Sequence, residues 1–116
     1  MKIAVSATGG SIHARVEERF GRAPYYVVVD SETMRFGLVP NPSVTSEHGA
    51  GPQAASLLRD RGVTVVLTGR VGPNARRALE ALGLQLVEGA GGTVEEAVQS
   101  FLSRPSAVPA IPGSRP

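Results

Sequence analysis

The sequence predicts one α/β domain built on a ribonuclease H-like mixed five-stranded sheet, a three-stranded antiparallel part extended by two parallel strands, with flanking helices. Three observations lead there. Strand-like runs fill the first part of the chain, joined by polar turns. From Pro52 onward the rhythm becomes helix, strand, helix, strand, helix. The length, 116 residues of which 41% are hydrophobic, provides one core and no second.

Taken in order, Ile3-Ala-Val-Ser-Ala7 is a short apolar strand ending at Thr8-Gly9-Gly10. Pro24–Asp30 is rich in Tyr and Val and strongly β-prone, and Met34–Val39 makes a third strand. Ser31-Glu32 between them reads as a tight hairpin connection. Glu17-Glu18 reads as the solvated face of a short helical turn before Phe20. Pro40-Asn-Pro42 then opens a loop to Gly51, and Pro52–Arg61 sets Ala54, Leu57 and Leu58 on one helical face before Gly62. Val63–Thr68 is a continuous run, as in a strand covered on both faces. Pro73 stands at a first helical position, followed by Ala75, Ala78, Leu79 and Leu82 at helical spacing, with Gly83 as the stop. Leu84–Val87 is the last strand, and Thr93-Val-Glu-Glu96 is a capping box opening a helix whose face is Val94, Ala97, Val98, Phe101 and Leu102. Two βαβ crossovers make the last strands parallel to a neighbour, which puts the first strand mid-sheet. A flavodoxin-like sheet fits worse because of the hairpin.

Composition narrows the function classes. The formal charge is +2. Up to Leu102, however, Lys2 and nine arginines meet ten acids, so the excess belongs to Arg104 and Arg115. The segment 103–116 holds four of the nine prolines and is expected to be a disordered tail, removable without loss of folding; the domain is 1–102. A neutral domain with 4% aromatic residues argues against a nucleic-acid partner, despite the basic pI. The absence of cysteine excludes disulfides, thiolate ligands and Cys nucleophiles. No apolar run approaches the ~18 residues of a membrane span, and the start has no signal-peptide core, so no membrane partner and a cytoplasmic location are expected.

Ligands of open α/β sheets gather outside the carboxyl ends of parallel strands, where connections diverge. Three glycine-rich segments are expected at that edge: Thr8-Gly9-Gly10, Thr68-Gly69-Arg70-Val-Gly72-Pro-Asn74, and Glu88-Gly-Ala-Gly-Gly92. Glycines expose backbone N–H groups, Asn74 lies in the first turn of a helix, and Arg70 adds a full charge; this is chemistry for an anion. No phosphate-loop or dinucleotide fingerprint is present. The imidazoles are His13, in the first loop, and His48, in Ser46-Glu-His-Gly-Ala-Gly-Pro52, and they are the candidate metal ligands. A hydrolase reading fails for want of a nucleophile elbow, and a two-metal nuclease needs clustered carboxylates where the strands supply only Asp30. A non-enzymatic protein is expected.

Three stretches in order and spacing, Glu18-Arg-Phe-Gly-Arg-Ala-Pro-Tyr-Tyr26, Gly49-Ala-Gly-Pro-Gln-Ala-Ala55 and Gly69-Arg-Val-Gly-Pro-Asn-Ala75, resemble the dinitrogenase iron–molybdenum cofactor biosynthesis family. Gly92-Thr-Val-Glu-Glu-Ala97 fits as well, and the resemblance spans about residues 1–102. It implies a ribonuclease H-like domain that carries, or helps insert, an iron–sulfur or iron–molybdenum type cluster or its precursor, with a cofactor-assembly protein as partner. It also implies a site at Arg19, Arg22, His48, Gly49, Gly51 and Arg70 beside the glycine loops. Relatives that bind the cofactor commonly place His before Phe-Gly; here Arg19 stands there, a group that stays protonated and does not ligate iron. The other reading of the same edge is a sensor for a small anionic metabolite or nucleotide.

Overall fold

The computed structural model describes residues 1–41 and 50–103. Its strands are β1 (Lys2–Ala7), β2 (Tyr25–Asp30), β3 (Phe36–Pro40), β4 (Val63–Leu67) and β5 (Gln85–Val87), with helices α1 (Ala50–Asp60), α2 (Pro73–Ala81) and α3 (Val94–Ser103). The sheet order is β3-β2-β1-β4-β5, so the first strand lies in the middle as the crossovers require. β1–β2 and β2–β3 are antiparallel, and β1–β4 and β4–β5 are parallel.

Strand alternation divides the core between two faces. Ala4, Tyr26, Val63 and Val66 join Ala54, Ala55 and Leu58 of α1 and Ala75 and Leu79 of α2 on one face. Ile3, Val5, Val27, Val65 and Leu67 pack with Val94, Ala97, Val98 and Phe101 of α3 on the other. The central strands are thus buried on both sides, which is why β4 reads as an apolar run interrupted only by Thr64. One irregularity shapes it: Lys2 pairs with Val63 but Ile3 with Val65, so Thr64 bulges out to solvent and Val63 keeps the same face as Val66. The capping box forms as read, Thr93 N–H donating to Glu96 Oε1 at 2.9 Å and Glu96 N–H to Thr93 Oγ1 at 3.1 Å.

Four local expectations are corrected. The hairpin loop is Ser31–Arg35 rather than two residues, and β3 begins at Phe36 rather than Met34. The reason is turn chemistry: Asp30 Oδ1 accepts from Glu32 N–H, Met34 N–H reaches Asp30 O, and Met34 turns left-handed at φ 59 before Arg35 re-enters the ladder. Glu17-Glu18 forms no helical turn; the chain there is irregular, its backbone bonded to strand ends, and the 3₁₀ turn that follows is Phe20–Arg22. α1 starts at Ala50, ahead of Pro52, because proline is tolerated in a first helical turn. α3 runs through Ser103, whose hydroxyl bonds back to Gln99 O, so only 104–116 of the expected tail lies outside the described residues.

Candidate functional site

At the carboxyl ends of β1 and β4 the crevice expected to receive a ligand is crossed by the protein's own chain. Glu17 N–H donates to Ser6 O, Arg15 O accepts from Thr8 N–H, and Val16 N–H donates to Gly92 O. Arg70 N–H donates to Glu18 O at 2.6 Å, and Phe20 N–H to Arg70 O at 3.1 Å. Beneath this strap lie two buried hydroxyls. Ser6 Oγ sits 2.7 Å from Glu17 O and 2.7 Å from Thr68 Oγ1. A carbonyl only accepts, so Ser6 spends its proton on Glu17 and Thr68 must be the donor to Ser6. The switch point is therefore closed by hydrogen bonds within the molecule.

The strap leaves an open cleft beside it, of about 360 Å³, lined by Arg19, Phe20, Gly21, Arg70, Val71 and Gly72. Its two arginines are exposed and sit on backbones bridged to each other as parallel partners. The floor is held rigidly. Phe20 is buried and its ring lies 5.1 Å from that of Tyr26. The Tyr26 hydroxyl donates to Phe20 O at 2.6 Å, and burial pushes that phenol well above its ordinary range. Asn41, buried between two prolines in sequence, donates through Nδ2 to Ala23 O at 2.9 Å and Gly21 O at 3.2 Å. Gly69 permits the two walls to meet, since a Cβ there would lie 2.5 Å from Glu18 O and 2.7 Å from Glu18 Cα. Its smallness serves an intramolecular contact.

A carboxylate already serves the loop that enters α2. Glu88, just past β5, accepts from Val71 N–H at 2.9 Å and from Arg76 Nη2 at 2.6 Å. The Arg76 hydrogen bond first, and the Val71 N–H second, hold the Glu88 carboxyl below the usual carboxylate range. Val71 N–H is thus already spent, and among the described residues lining this cleft the charged side chains are Arg19 and Arg70.

The structure brings Arg19, Arg70 and Gly72 into one cleft with Gly69 behind them. Arg22 is exposed at the end of the 3₁₀ turn, and Asn74 is exposed in the first turn of α2, both outside the lining. Gly51 lies in α1 where a Cβ would meet Ala75 Cβ at 2.5 Å, so its role is close packing of α1 on α2. Thr8, Gly9 and Gly10 lie elsewhere along the edge: Thr8 N–H is spent on Arg15, Gly9 lies by Ala14, and Gly10 lies under Leu38 of β3. His13 is solvent-exposed, 3.9 Å from Glu95 at the start of α3 and away from the cleft lining. His48 and Gly49 lie outside the described residues. Among the described residues no group of three His, Asp or Glu side chains is placed to hold a metal, and no helix is long and apolar enough to cross a membrane. Sequence reasoning placed Val71 and Glu88 at this edge only as parts of their segments, without a role, and missed Phe20 and Gly21 as lining and Asn41 as a support. The buried Asn41 was the one with a readable signal, a polar residue fixed between Pro40 and Pro42 directly after a strand.

Comparison with known proteins places this geometry. A family model described as dinitrogenase iron-molybdenum cofactor matches residues 1–104. The apo form of the orange protein from Desulfovibrio gigas is 48% identical, with a TM-score of 0.84 over 87% of this chain and 86% of that one. The NMR structure of a NifB-like protein from Thermotoga is 33% identical, with a TM-score of 0.77 and coverage of 87% and 86%. An uncharacterized protein from Methanocaldococcus jannaschii is 26% identical over 91 residues, 76% of this chain and 77% of its own. The chain belongs to the dinitrogenase iron-molybdenum cofactor family.

Proposed function

We propose that this protein is a non-enzymatic cytoplasmic carrier or accessory protein that takes an anionic iron–sulfur or iron–molybdenum type cluster, or its precursor, as cargo and passes it to a cofactor-assembly protein. The observation that carries the reading is the cleft between Arg19–Gly21 and Arg70–Gly72, where two exposed guanidiniums flank a floor fixed by buried hydrogen bonds. Family membership supports a cofactor-related role, and the similarity to a protein solved in an apo form supports a carried group. The sheet order, with β1 central and β2 antiparallel to it, supports the ribonuclease H-like reading of the fold.

The donor set favours docking over ligation. The chain has no cysteine, and the guanidiniums of Arg19 and Arg70 hold an anion by charge and directed N–H groups without entering a metal's coordination sphere. His48, in the segment outside the described residues, is the proposed imidazole contact; residues 1–102 are the functional unit. Anaerobic titration of the full chain with a synthetic iron–sulfur cluster anion tests this. A stoichiometric absorbance change, weakened by added salt and diminished in His48→Ala, is expected. No binding overturns the reading, and thermal stabilisation by phosphate or organic acids alone reassigns the cleft to a small-anion sensor.

A further inference from the structure

Among the described residues the outer edge of strand β3 is unpaired, and we propose that it joins a second copy of this chain in an antiparallel two-fold dimer. Hydrogen-bond phase shows which groups are free. Asp30 N–H donates to Arg35 O at 2.9 Å and Asn41 N–H to Pro24 O at 3.0 Å, so with the observed register Gly37 and Val39 bond inward to β2. Phe36 and Leu38 fall at the alternate positions, and their backbone N–H and C=O groups point away from the sheet. Among the described residues no strand or backbone group pairs with them.

The side chains say the same. Phe36 and Leu38 project from one face and remain 45% and 40% exposed, although both belong to a strand. Edges normally defend themselves with lysine, inward charges, bulges or proline. Here Arg35 precedes the strand and Pro40 closes it, with nothing protective between. Gly37 adds a bare position: a Cβ built there meets nothing within 4 Å, and its φ lies outside the left-handed range, so the monomer has no steric need for glycine. A glycine inside a strand often marks a close approach by another backbone.

The pattern is complementary to itself. With a two-fold axis at Gly37, Phe36 of each copy stands opposite Leu38 of the other, and every outward N–H at these positions meets an outward C=O. The apolar pairs fall on one face, Pro40 lies beyond the bonded stretch, and Arg35 of each copy faces Val39 of the other instead of its own equivalent. The uncovered part of each Phe36 or Leu38 side chain is roughly 80 Å², taking a large side chain as 150–250 Å². Two copies then hide about 300 Å² of apolar surface in a contact smaller than the ~1,600 Å² of a standard interface. The dimer is therefore weak and concentration-dependent, with a dissociation constant on the order of tens to hundreds of micromolar.

Sedimentation equilibrium of the full chain over that range, read beside backbone amide exchange, tests the proposal. The expected result is a reversible dimer in which the amides of Phe36 and Leu38 slow with concentration while those of Gly37 and Val39 do not change. Leu38→Lys should weaken association at least tenfold with an unchanged melting temperature, and Phe36→Lys serves in its place if Leu38→Lys fails to fold. A chain monomeric throughout the range, or association that both lysine variants leave intact, overturns it. A monomer that dimerises only when residues 104–116 are removed also overturns it, because the tail is then the occupant.

Discussion

Replacing Gly69 with alanine drives a methyl group into the backbone of Glu18, 2.5 Å from its carbonyl oxygen and 2.7 Å from its Cα. Neither atom belongs to a flexible side-chain end, so the 17–20 strap and the 69–72 loop must separate. The bonds at risk are Arg70 N–H to Glu18 O and Phe20 N–H to Arg70 O. At about 1 kcal/mol each, with a further penalty for polar groups left without partners, the loss is about 2–4 kcal/mol. A domain of this size moves by roughly 4–8 °C per kcal/mol, so its melting temperature should fall by about 8–30 °C. Gly72→Ala is the control: its Cβ enters open space at a residue with φ −72, and because Gly72 is the N-cap of α2, where glycine is favoured over alanine, its cost should be no more than about 1 kcal/mol. Paired thermal and urea unfolding measures both. If Gly69→Ala is as mild as Gly72→Ala, the strap is not fastened to the loop as described.

The buried hydroxyl pair predicts an asymmetry. Thr68→Val removes only a donor to Ser6, costing about 1 kcal/mol, whereas Ser6→Ala strands both the Thr68 hydroxyl and Glu17 O and should cost about 2–3 kcal/mol by urea unfolding. Equal losses would reverse the donor assignment. Glu88 predicts a pH effect: its folded carboxyl titrates low, so its contribution is present above the unfolded value near ~4.3 and disappears as pH falls through the folded value. Melting temperatures of wild type and Glu88→Gln should therefore differ at neutral pH and converge in acid; a gap constant with pH contradicts this. Tyr26→Phe leaves Phe20 O without its 2.6 Å donor and should cost about 1–2 kcal/mol while the ring packing survives, as chemical denaturation would show.

Elements with their own periodicity were legible in the sequence. The apolar run of β4, Pro73 and the Thr93–Glu96 box each carry a local physical signal, and each element formed within two residues of expectation. The same holds for the central position of β1, which follows from chain connectivity. The strap was not legible, because residues 15–19 satisfy their backbones against strand ends remote in sequence and so show neither a helical nor a strand period. That one segment explains why the glycine loops do not share a single open crevice. Arg19 and Arg70 were both named as anion contacts, yet only the fold makes them bridge partners in one cleft. Glu88 was placed at that edge with its glycine-rich segment but its role was not readable, because a carboxylate in such a loop reads as solvated until its partners, Val71 N–H and Arg76, are placed around it.

The most direct test of the anion-cargo account is the dissociation constant of a synthetic iron–sulfur cluster anion, measured anaerobically for wild type, Arg19→Ala, Arg70→Ala and the double variant. Each guanidinium lost should weaken binding about tenfold, the worth of one charge-assisted contact, and the double variant about a hundredfold, with melting temperatures unchanged because both side chains are exposed. Equal affinity in all four proteins would contradict the account.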